Sequence, residues 1–278
     1  MGNLETKSFC AELIEENRLF TILSEKLGFS EHYDENLYAE LERFINDYIA
    51  FHSLDKDEVK NAYVKYIKSY NKDVRAFNET GKFPLELNPE REAPNRIDYN
   101  IILLLSTILT PHRFRIMQII KQNLVASNKG LFIGCGPGLE IQLTQDKIDL
   151  INAYDLTLDS FLDQHFDKVN FYKEYFDGTN SDGYDCIFLI EILEHLSDPY
   201  MLLEICKNVL TANGKIFLTT ATNIPQFDHL YNFSVDHIQF DNKLKELGLK
   251  VILAEDIVHP VMTTSANAQN KFYIVEKV

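Results

Sequence analysis

Positive charge is scarce in this sequence. Its 27 lysines and arginines stand against 42 aspartates and glutamates, which gives a formal net charge of −15. A surface that binds nucleic acid needs a basic footprint, and the stretch from Lys56 to Lys72 is the only part richer in lysine. The composition therefore disfavours nucleic acid as a partner.

Long apolar runs are missing as well. No segment reaches the roughly 18 consecutive apolar residues that a transmembrane helix needs. The residues from Met1 to Asn17 are charged and lack the apolar core of a signal peptide. We therefore expect a cytoplasmic protein with no membrane partner, and the sequence leaves a homodimer open.

Cysteine is sparse. The four cysteines, Cys10, Cys135, Cys186 and Cys206, are scattered along the chain. A disulfide or zinc framework needs cysteines at characteristic spacings. Their distribution instead predicts reduced thiols.

Helical periodicity dominates residues 1–126, where little strand signal occurs. Apolar stripes at helical spacing predict the following helices: 13–27 ending at Gly28, 37–49, 59–70 with an extension to Phe77, 99–109 and 111–124. Aromatic side chains at this spacing usually belong to a core. We expect an all-helical N-terminal domain over 1–126, and we expect it to cover the functional site of the rest of the chain and to shape the pocket for the substrate that accepts the transferred group.

From Gly130 onward, strand and helix patterns alternate. Strands are predicted over 130–134, 151–155, 169–173, 184–190, 214–221, 249–257 and 271–278, with helices over 138–146, 157–164, 199–210 and 239–247. This alternation is typical of a doubly wound, mostly parallel sheet. The predicted fold is α/β, with a seven-stranded cofactor-binding domain over 127–278.

The stretch Gly130–Glu140, GLFIGCGPGLE, joins the first strand to a helix through a glycine turn. Glycines allow positive φ and let a ligand approach the backbone. The spacing is G-x-G-x-G rather than the G-x-G-x-x-G of dinucleotide-binding folds. A plain glycine turn in another α/β protein is the alternative.

An acidic residue, Asp155, ends the second predicted strand. A carboxylate at this edge of a parallel sheet lies where ligands bind, and it can accept hydrogen bonds from both ribose hydroxyls. Asp155 could instead cap the helix that follows. After the third strand come two further acids, Glu174 and Asp177, which could form an ordinary acidic loop.

The segment Tyr184–Pro199 reads YDCIFLIEILEHLSDP and is followed by Asn213-Gly214 and another apolar strand. Together with the G-x-G-x-G turn and Asp155, it resembles class I S-adenosylmethionine (SAM)-dependent methyltransferases, a seven-stranded Rossmann-like family. The resemblance covers about 130–278. In that family the last strand runs antiparallel to the others.

The resemblance implies SAM as cofactor and S-adenosylhomocysteine (SAH) as product. The cofactor-binding residues that it implies are Gly134, Cys135, Gly136, Gly138, Asp155, Leu156, Glu174, Tyr175 and Ile190. It also implies that either Glu174 or Asp177 contacts the adenine amino group. The expected reaction is methyl transfer to an oxygen or nitrogen atom of a small-molecule acceptor.

Polar side chains at the end of the fourth strand are the catalytic candidates. If 191–195 forms a helical turn, Glu191, Glu194 and His195 share one side of it. An imidazole titrates near neutral pH and suits proton removal. His195 is therefore the predicted general base, with Glu191 as a second catalytic residue.

The motif E-x-x-E-H, formed here by Glu191, Glu194 and His195, also occurs in ubiquinone-biosynthesis O-methyltransferases and in small-RNA 2′-O-methyltransferases. In the second group, two glutamates and two histidines bind a divalent metal. The alternative function is therefore metal-assisted 2′-O- or catechol-type O-methylation, with RNA as one acceptor. Its ligands would be Glu191, Glu194, His195 and His237, with His229 as the second choice for the last position.

Two further classes remain. An NAD-dependent enzyme is disfavoured by the glycine spacing. A non-catalytic protein on a methyltransferase fold is disfavoured by the intact glycine turn and Asp155. The identity of the acceptor does not follow from the sequence, because the fold does not specify it.

Overall fold

The computed structural model describes residues 7–179, 183–233, 237–259 and 267–278. Within them, seven helices precede the first strand: α1 Phe9–Glu16, α2 Arg18–Gly28, α3 Glu35–Phe51, α4 Lys56–Thr80, α5 Pro84–Leu87, α6 Arg96–Leu109 and α7 Pro111–Asn123. None of the described helices combines the length and the apolar composition that a membrane crossing requires.

The first predicted helix is in fact two. Asn17 has an extended backbone that ends α1, and its side chain accepts the N–H groups of Leu19 and Phe20 to cap α2. An apolar stripe can continue across such a break, so the periodicity concealed it. The predicted extension of the third helix is confirmed, because α4 runs on to Thr80 and ends at Gly81, whose φ is +70°.

Seven strands form one sheet, as predicted. They are β1 Ser127–Ile133, β2 Ile148–Tyr154, β3 Val169–Tyr172, β4 Tyr184–Leu189, β5 Leu210–Thr222, β6 Leu249–Val258 and β7 Gln269–Lys277. The strand order is β3-β2-β1-β4-β5-β7-β6. The last strand, β7, is antiparallel to both neighbours. Its position between β5 and β6 distinguishes this sheet from the 3-2-1-4-5-6 dinucleotide fold.

Four helices connect the strands: α8 Leu139–Thr144, α9 Ser160–His165, α10 Pro199–Val209 and α11 His237–Glu246. α9 begins later than the helix predicted over 157–164, because the cap is Asp159, whose carboxylate accepts the N–H of Phe161. Asp155 is therefore not a helix cap, and that alternative was wrong.

Successive strand residues point to opposite faces of the sheet. Phe132, Phe188 and Phe217 stack on one face, with ring centroids 4.3 and 4.9 Å apart, in the hydrophobic cluster that also contains α1–α4 and α6–α9. Leu131 and Ile187 lie in the second cluster with α10 and α11. The N-terminal helices thus share a core with the sheet, and the proposed boundary at residue 126 stays a prediction. All four cysteines are free and buried.

One buried carboxylate joins the helical half to the sheet half. Asp159 accepts hydrogen bonds from the hydroxyl of Tyr48 at 2.7 Å and from Nδ2 of Asn100 at 3.1 Å. His52 Nε2 lies 2.9 Å from its other oxygen. Because these partners lie on α3 and α6, the contacts hold both helices over the loop between β2 and α9.

We expect Asp159→Asn to lower the free energy of unfolding by about 2 kcal/mol near neutral pH, since hydrogen bonds to a charged group contribute roughly 1.5–3 kcal/mol. Burial alone would raise the pKa of Asp159, but hydrogen bonds from Phe161 and Tyr48 and the nearby His52 outweigh it and lower the pKa. The stabilisation is therefore complete above the unfolded-state pKa of about 4 and is lost as the pH falls through the lower folded-state pKa.

Urea unfolding at neutral and acidic pH measures this difference. Asp163→Asn, on the exposed side of α9, is the matched control. A stability gap between Asp159→Asn and the natural protein that stays constant in acid would contradict the assignment.

Candidate functional site

A cavity of about 870 Å³ opens at the carboxyl edge of the parallel strands. The segments that follow β1 to β6 line one part, including the starts of α8 and α10, and helices α2, α4, α6 and α7 line another. Ligands of doubly wound sheets bind at this edge, where loops meet and backbone groups are free. The cavity is therefore the candidate site.

Gly134 and Gly136 of the glycine turn after β1 line this cavity, whereas the predicted cofactor residue Gly138 does not. Gly134, Gly136 and Gly138 have φ of +70°, +53° and +88°. A Cβ on Gly134 would lie 2.6 Å from Ile192 Cδ1, and one on Gly138 would lie 2.8 Å from Leu162 Cδ2. A Cβ on Gly136 would meet only Leu103 Cδ1 at 3.6 Å. Packing thus requires the outer two glycines, whereas the middle one borders open space in the cavity.

Asp155 lies beside this turn. Its Oδ2 accepts the N–H of Gly136 at 3.0 Å, and its Oδ1 accepts the N–H of Thr157 at 2.9 Å. The carboxylate therefore ties the loop after β2 to the glycine turn. The side chain is 11% exposed and lines the cavity.

Arg96 reaches the same place from the start of α6, and the sequence pattern did not identify it. A terminal guanidinium nitrogen (Nη2) donates to the carbonyl of Gly136 at 3.3 Å and lies 3.6 Å from Asp155 Oδ2. Its Nε is buried and makes no hydrogen bond to the described residues. No motif surrounds Arg96, so only the packing of α6 over the sheet shows its proximity.

The remaining predicted cofactor residues all line the cavity. Cys135 and Ile190 are buried, Leu156 and Tyr175 are exposed, and Glu174 follows β3. Burial raises the pKa of the Cys135 thiol, which is therefore protonated and unreactive.

The two acids after β3 differ in their contacts. Asp177 accepts hydrogen bonds from the backbone N–H and the hydroxyl of Thr179, at 2.8 and 2.7 Å. Glu174 makes no hydrogen bond or ion pair with the described residues. Glu174 therefore keeps its carboxylate free for a ligand, whereas Asp177 is engaged within its own loop.

The expected helical turn over 191–195 does not form. Glu191 has a φ of +52°, and only Leu193–His195 makes a short 3-10 turn. The left-handed backbone at Glu191 interrupts the helical turn at this residue. Its carboxylate accepts Nδ2 of Asn270 at 2.7 Å and pairs with Arg113 at 3.1 Å.

A buried polar network continues from Glu191. Asn270 Oδ1 is hydrogen-bonded to His259, whose ring stacks on that of His112 at 3.9 Å. Burial lowers the pKa of both imidazoles, so both rings are neutral near neutral pH. Sequence reasoning missed Asn270 and His259, because they lie on β7 and after β6, far from any motif.

Glu194, His195 and His229 come together instead. One possible ligand atom from each lies within 4.8 Å of the others. Glu194 is fully buried, and neither carboxylate oxygen has a hydrogen-bond partner in the described part of the chain. Burial, and then the charge of Glu191, raise the pKa of Glu194 well above its usual value. Burial and His195 lower the pKa of His229 well below its usual value.

The alternative metal set of Glu191, Glu194, His195 and His237 stays a prediction. Among the described residues, Glu191 is not part of the group around Glu194, because Arg113 and Asn270 hold its carboxylate. His229, the second choice, takes a place in that group. His237 begins α11, but its side chain lies outside the described residues.

The far wall of the cavity is rich in tyrosine. Tyr63, Tyr66 and Tyr70 line it from α4, and Tyr99 lines it from α6. The hydroxyl of Tyr99 donates to Asp228 Oδ2 at 3.2 Å. The helical half thus supplies an aromatic wall opposite the polar groups of the sheet edge.

No protein-family model matches the chain. Its sequence is 26% identical over 126 residues to the ubiquinone biosynthesis O-methyltransferase of Haemophilus ducreyi, covering 41% of this chain and 53% of that protein. It is 27% identical over 114 residues to the corresponding protein of Glaesserella parasuis, covering 36% and 48%. The chain spans about half the length of the curated relatives it matches.

Solved structures of methyltransferases are similar in fold, and two of them serve as examples. The N-methyltransferase NodS from Bradyrhizobium japonicum WM9, in complex with SAH, has a TM-score of 0.50 at 15% identity, covering 69% of this chain and 96% of that one. An O-methyltransferase family protein from Burkholderia thailandensis has a TM-score of 0.51 at 11% identity, covering 84% and 72%. These similarities show that the chain has the fold of class I methyltransferases.

Proposed function

We propose that the protein transfers a methyl group from SAM to an oxygen or nitrogen atom of a small-molecule acceptor. The observation that carries this proposal is the composition of the cavity. One end of the cavity is lined by the glycine turn, Asp155 and Glu174. The other end is lined by imidazoles, carboxylates and tyrosines. A cofactor and an acceptor can therefore meet inside one cavity.

The residues of the first end fit the parts of the cofactor. Gly136 leaves space beside the turn, and Asp155 supplies the carboxylate for the ribose hydroxyls. Glu174 is free for the adenine amino group, flanked by Leu156, Tyr175 and Ile190. Arg96, with its buried Nε, is placed to attract the methionine carboxylate.

SAM supplies an electrophilic methyl group on a sulfonium, so the protein mainly has to align the acceptor and exclude water. The tyrosine wall of α4 and α6 closes the acceptor end. His195 provides proton removal. Its Nδ1 lies 3.2 Å from the carbonyl oxygen of Asp228, which can only accept, so Nδ1 carries the proton and Nε2 keeps its lone pair.

The contacts of Glu191 support a positioning role rather than direct participation in catalysis. Its carboxylate is used by Arg113 and Asn270, and its N–H donates to Thr219 Oγ1 at 2.6 Å. It thereby fixes the chain between β4 and the turn that carries His195. Glu191 would act through the placement of that turn.

A second candidate is metal-assisted methyl transfer to an oxygen. The unpartnered oxygens of Glu194 and the unpartnered Nδ1 of His229 are atoms that a divalent metal could bind. With His195, they would hold it, and the metal would act as a Lewis acid on the acceptor oxygen. We favour the metal-free reaction, since Glu191 does not join this group. The exclusion of nucleic acid, the homodimer and the cytoplasmic location stay predictions.

Glycine substitutions separate packing from ligand approach. We expect Gly136→Ala to lower the free energy of unfolding by about 1–2 kcal/mol through its positive φ, and to weaken SAH binding more than about tenfold by blocking the backbone. Gly138→Ala should destabilise more, by roughly 2–5 kcal/mol, because overpacking against Leu162 adds to the strain. Calorimetry with SAH and thermal unfolding measure the two effects.

Gly28→Ala is the neutral control, because nothing lies within 4 Å of its added Cβ. If Gly136→Ala binds SAH as tightly as the natural protein, the ligand does not approach this glycine.

Replacing Asp155 tests the ribose contact. We expect Asp155→Ala to reduce SAH affinity by on the order of 2 kcal/mol through loss of charge-assisted hydrogen bonds. Calorimetry on the folded variant measures this, with Asp149→Asn, an exposed acid on the same strand, as the control. Normal SAH affinity in folded Asp155→Ala, or binding of NAD in preference to SAH, would contradict the cofactor assignment.

The metal question is answered by binding alone. In the metal-free reaction, dialysed protein should take up no stoichiometric Mn²⁺, and a chelator should leave SAH binding unchanged. Titration with Mn²⁺, followed by elemental analysis, measures both the natural protein and Glu194→Gln. A bound ion that is lost in Glu194→Gln and in His229→Asn, but kept in Glu191→Gln, would establish the metal site. Metal-assisted transfer would then be the better-supported mechanism.

A further inference from the structure

The acceptor end of the cavity, formed by Glu194, Asp228, His195 and Tyr99, has unsatisfied hydrogen-bond acceptors. Glu194 is fully buried, and both its oxygens lack a partner among the described residues. Oδ1 of Asp228 is also buried without one. Because unsatisfied buried carboxylate oxygens are costly, they indicate a ligand that brings N–H or O–H donors.

Neither arginine of the described lining forms an ion pair with these two carboxyl groups, and Nδ1 of His195 lies 3.5 Å from Asp228 Oδ2. The two arginines that line the cavity face other acids: Arg96 lies beside Asp155, and Arg113 pairs with Glu191. Lysine is absent from the described lining residues. A ligand group here meets the carboxylate of Asp228 and the unsatisfied oxygens of Glu194, which together favour a positively charged group with several N–H donors.

The surrounding wall suits an organic cation with an apolar body. The rings of Tyr66 and Tyr70 are stacked 6.0 Å apart, and Tyr63 lies 6.2 Å from Tyr66. Aromatic faces attract cations, and their area favours a flat apolar group. Ile67 and Ile102 add aliphatic surface to the same cavity.

We infer that the acceptor is an amine, whose ammonium group binds at Glu194 and Asp228 and whose apolar body lies against the tyrosines of α4 and α6. This inference rests on the proposed methyl transfer and names its acceptor class. A neutral diol would fill the space but bring no positive charge to the carboxylate of Asp228.

The chemistry of such an acceptor balances with the residues present. The ammonium gives one proton to Nε2 of His195, which restores the nitrogen lone pair. The nitrogen then forms a bond to the methyl carbon as the carbon–sulfur bond breaks, and that electron pair stays on sulfur. The products are the N-methylated ammonium ion and SAH, and His195 returns its proton to solvent.

Calorimetry on SAH-loaded protein tests the inference with 2-phenylethylamine as the probe. Its uncharged analogue 2-phenylethanol and the diol catechol are compared at millimolar concentration. We expect the amine to bind at least about tenfold more tightly than the alcohol, and Glu194→Gln and Asp228→Asn each to remove most of that preference. Glu204→Gln, an exposed acid on α10, should keep it.

The outcomes separate this inference from the proposed function. Equal affinities for amine and alcohol, tighter binding of catechol, or no measurable amine binding would overturn the amine assignment while SAH binding still supports methyl transfer. Mn²⁺ binding at Glu194 that displaces the amine would overturn it as well. If the protein binds the amine selectively but does not bind SAH, the result would support the amine-binding site and contradict the proposed methyl transfer. Formation of N-methyl-2-phenylethylamine from SAM, found by mass spectrometry, would support both.

Discussion

The site exists because the helical half is held over the carboxyl edge of the sheet, and the hydrogen bonds of Asp159 are central to that. This carboxylate caps α9 while accepting from Tyr48 on α3 and Asn100 on α6. α6 in turn carries Arg96 and Tyr99 to the two ends of the cavity. A buried charge is tolerated only when it is fully hydrogen-bonded. The same contacts that satisfy Asp159 therefore fix the distance between the cofactor end and the tyrosine wall.

A second constraint lies at the end of β4. Glu191 has a left-handed backbone, which costs a non-glycine residue about 1–2 kcal/mol. Its contacts with Arg113, Asn270 and Thr219 offset that strain and connect α7, β7 and β5 to the turn that follows. The short 3-10 turn after Glu191 brings Glu194 and His195 next to His229, and Glu191 is not part of that group among the described residues. The backbone conformation at Glu191 therefore determines which acidic side chains lie beside His195 and His229.

These two constraints explain which parts of the fold and of the site could be predicted from the sequence. Alternating apolar runs predicted the seven strands and the helices between them, since local pattern determines strand and helix. The glycine turn, Asp155 and Glu174 were placed at one edge because the carboxyl ends of parallel strands share it. Arg96, Asn270 and His259 were missed, because their positions depend on packing between distant segments. The error at Glu191 had a local cause: spacing assumes a regular helical turn, and a single positive φ removed it.

Glu194 connects the architecture of the site to its chemistry. Its backbone carbonyl accepts the N–H groups of Leu230 and Tyr231, at 2.8 and 2.9 Å, and so brings Asp228 and His229 to the cavity. That function needs no carboxylate, because any residue has the same carbonyl. The side chain, by contrast, is buried with both oxygens unsatisfied, an arrangement that opposes folding. Buried polar groups that lack hydrogen-bond partners usually lie at functional sites, where a bound ligand supplies the partners. The backbone of Glu194 therefore belongs to the fold and its carboxylate to the ligand, which is why the acceptor end is where the identity of the substrate is determined.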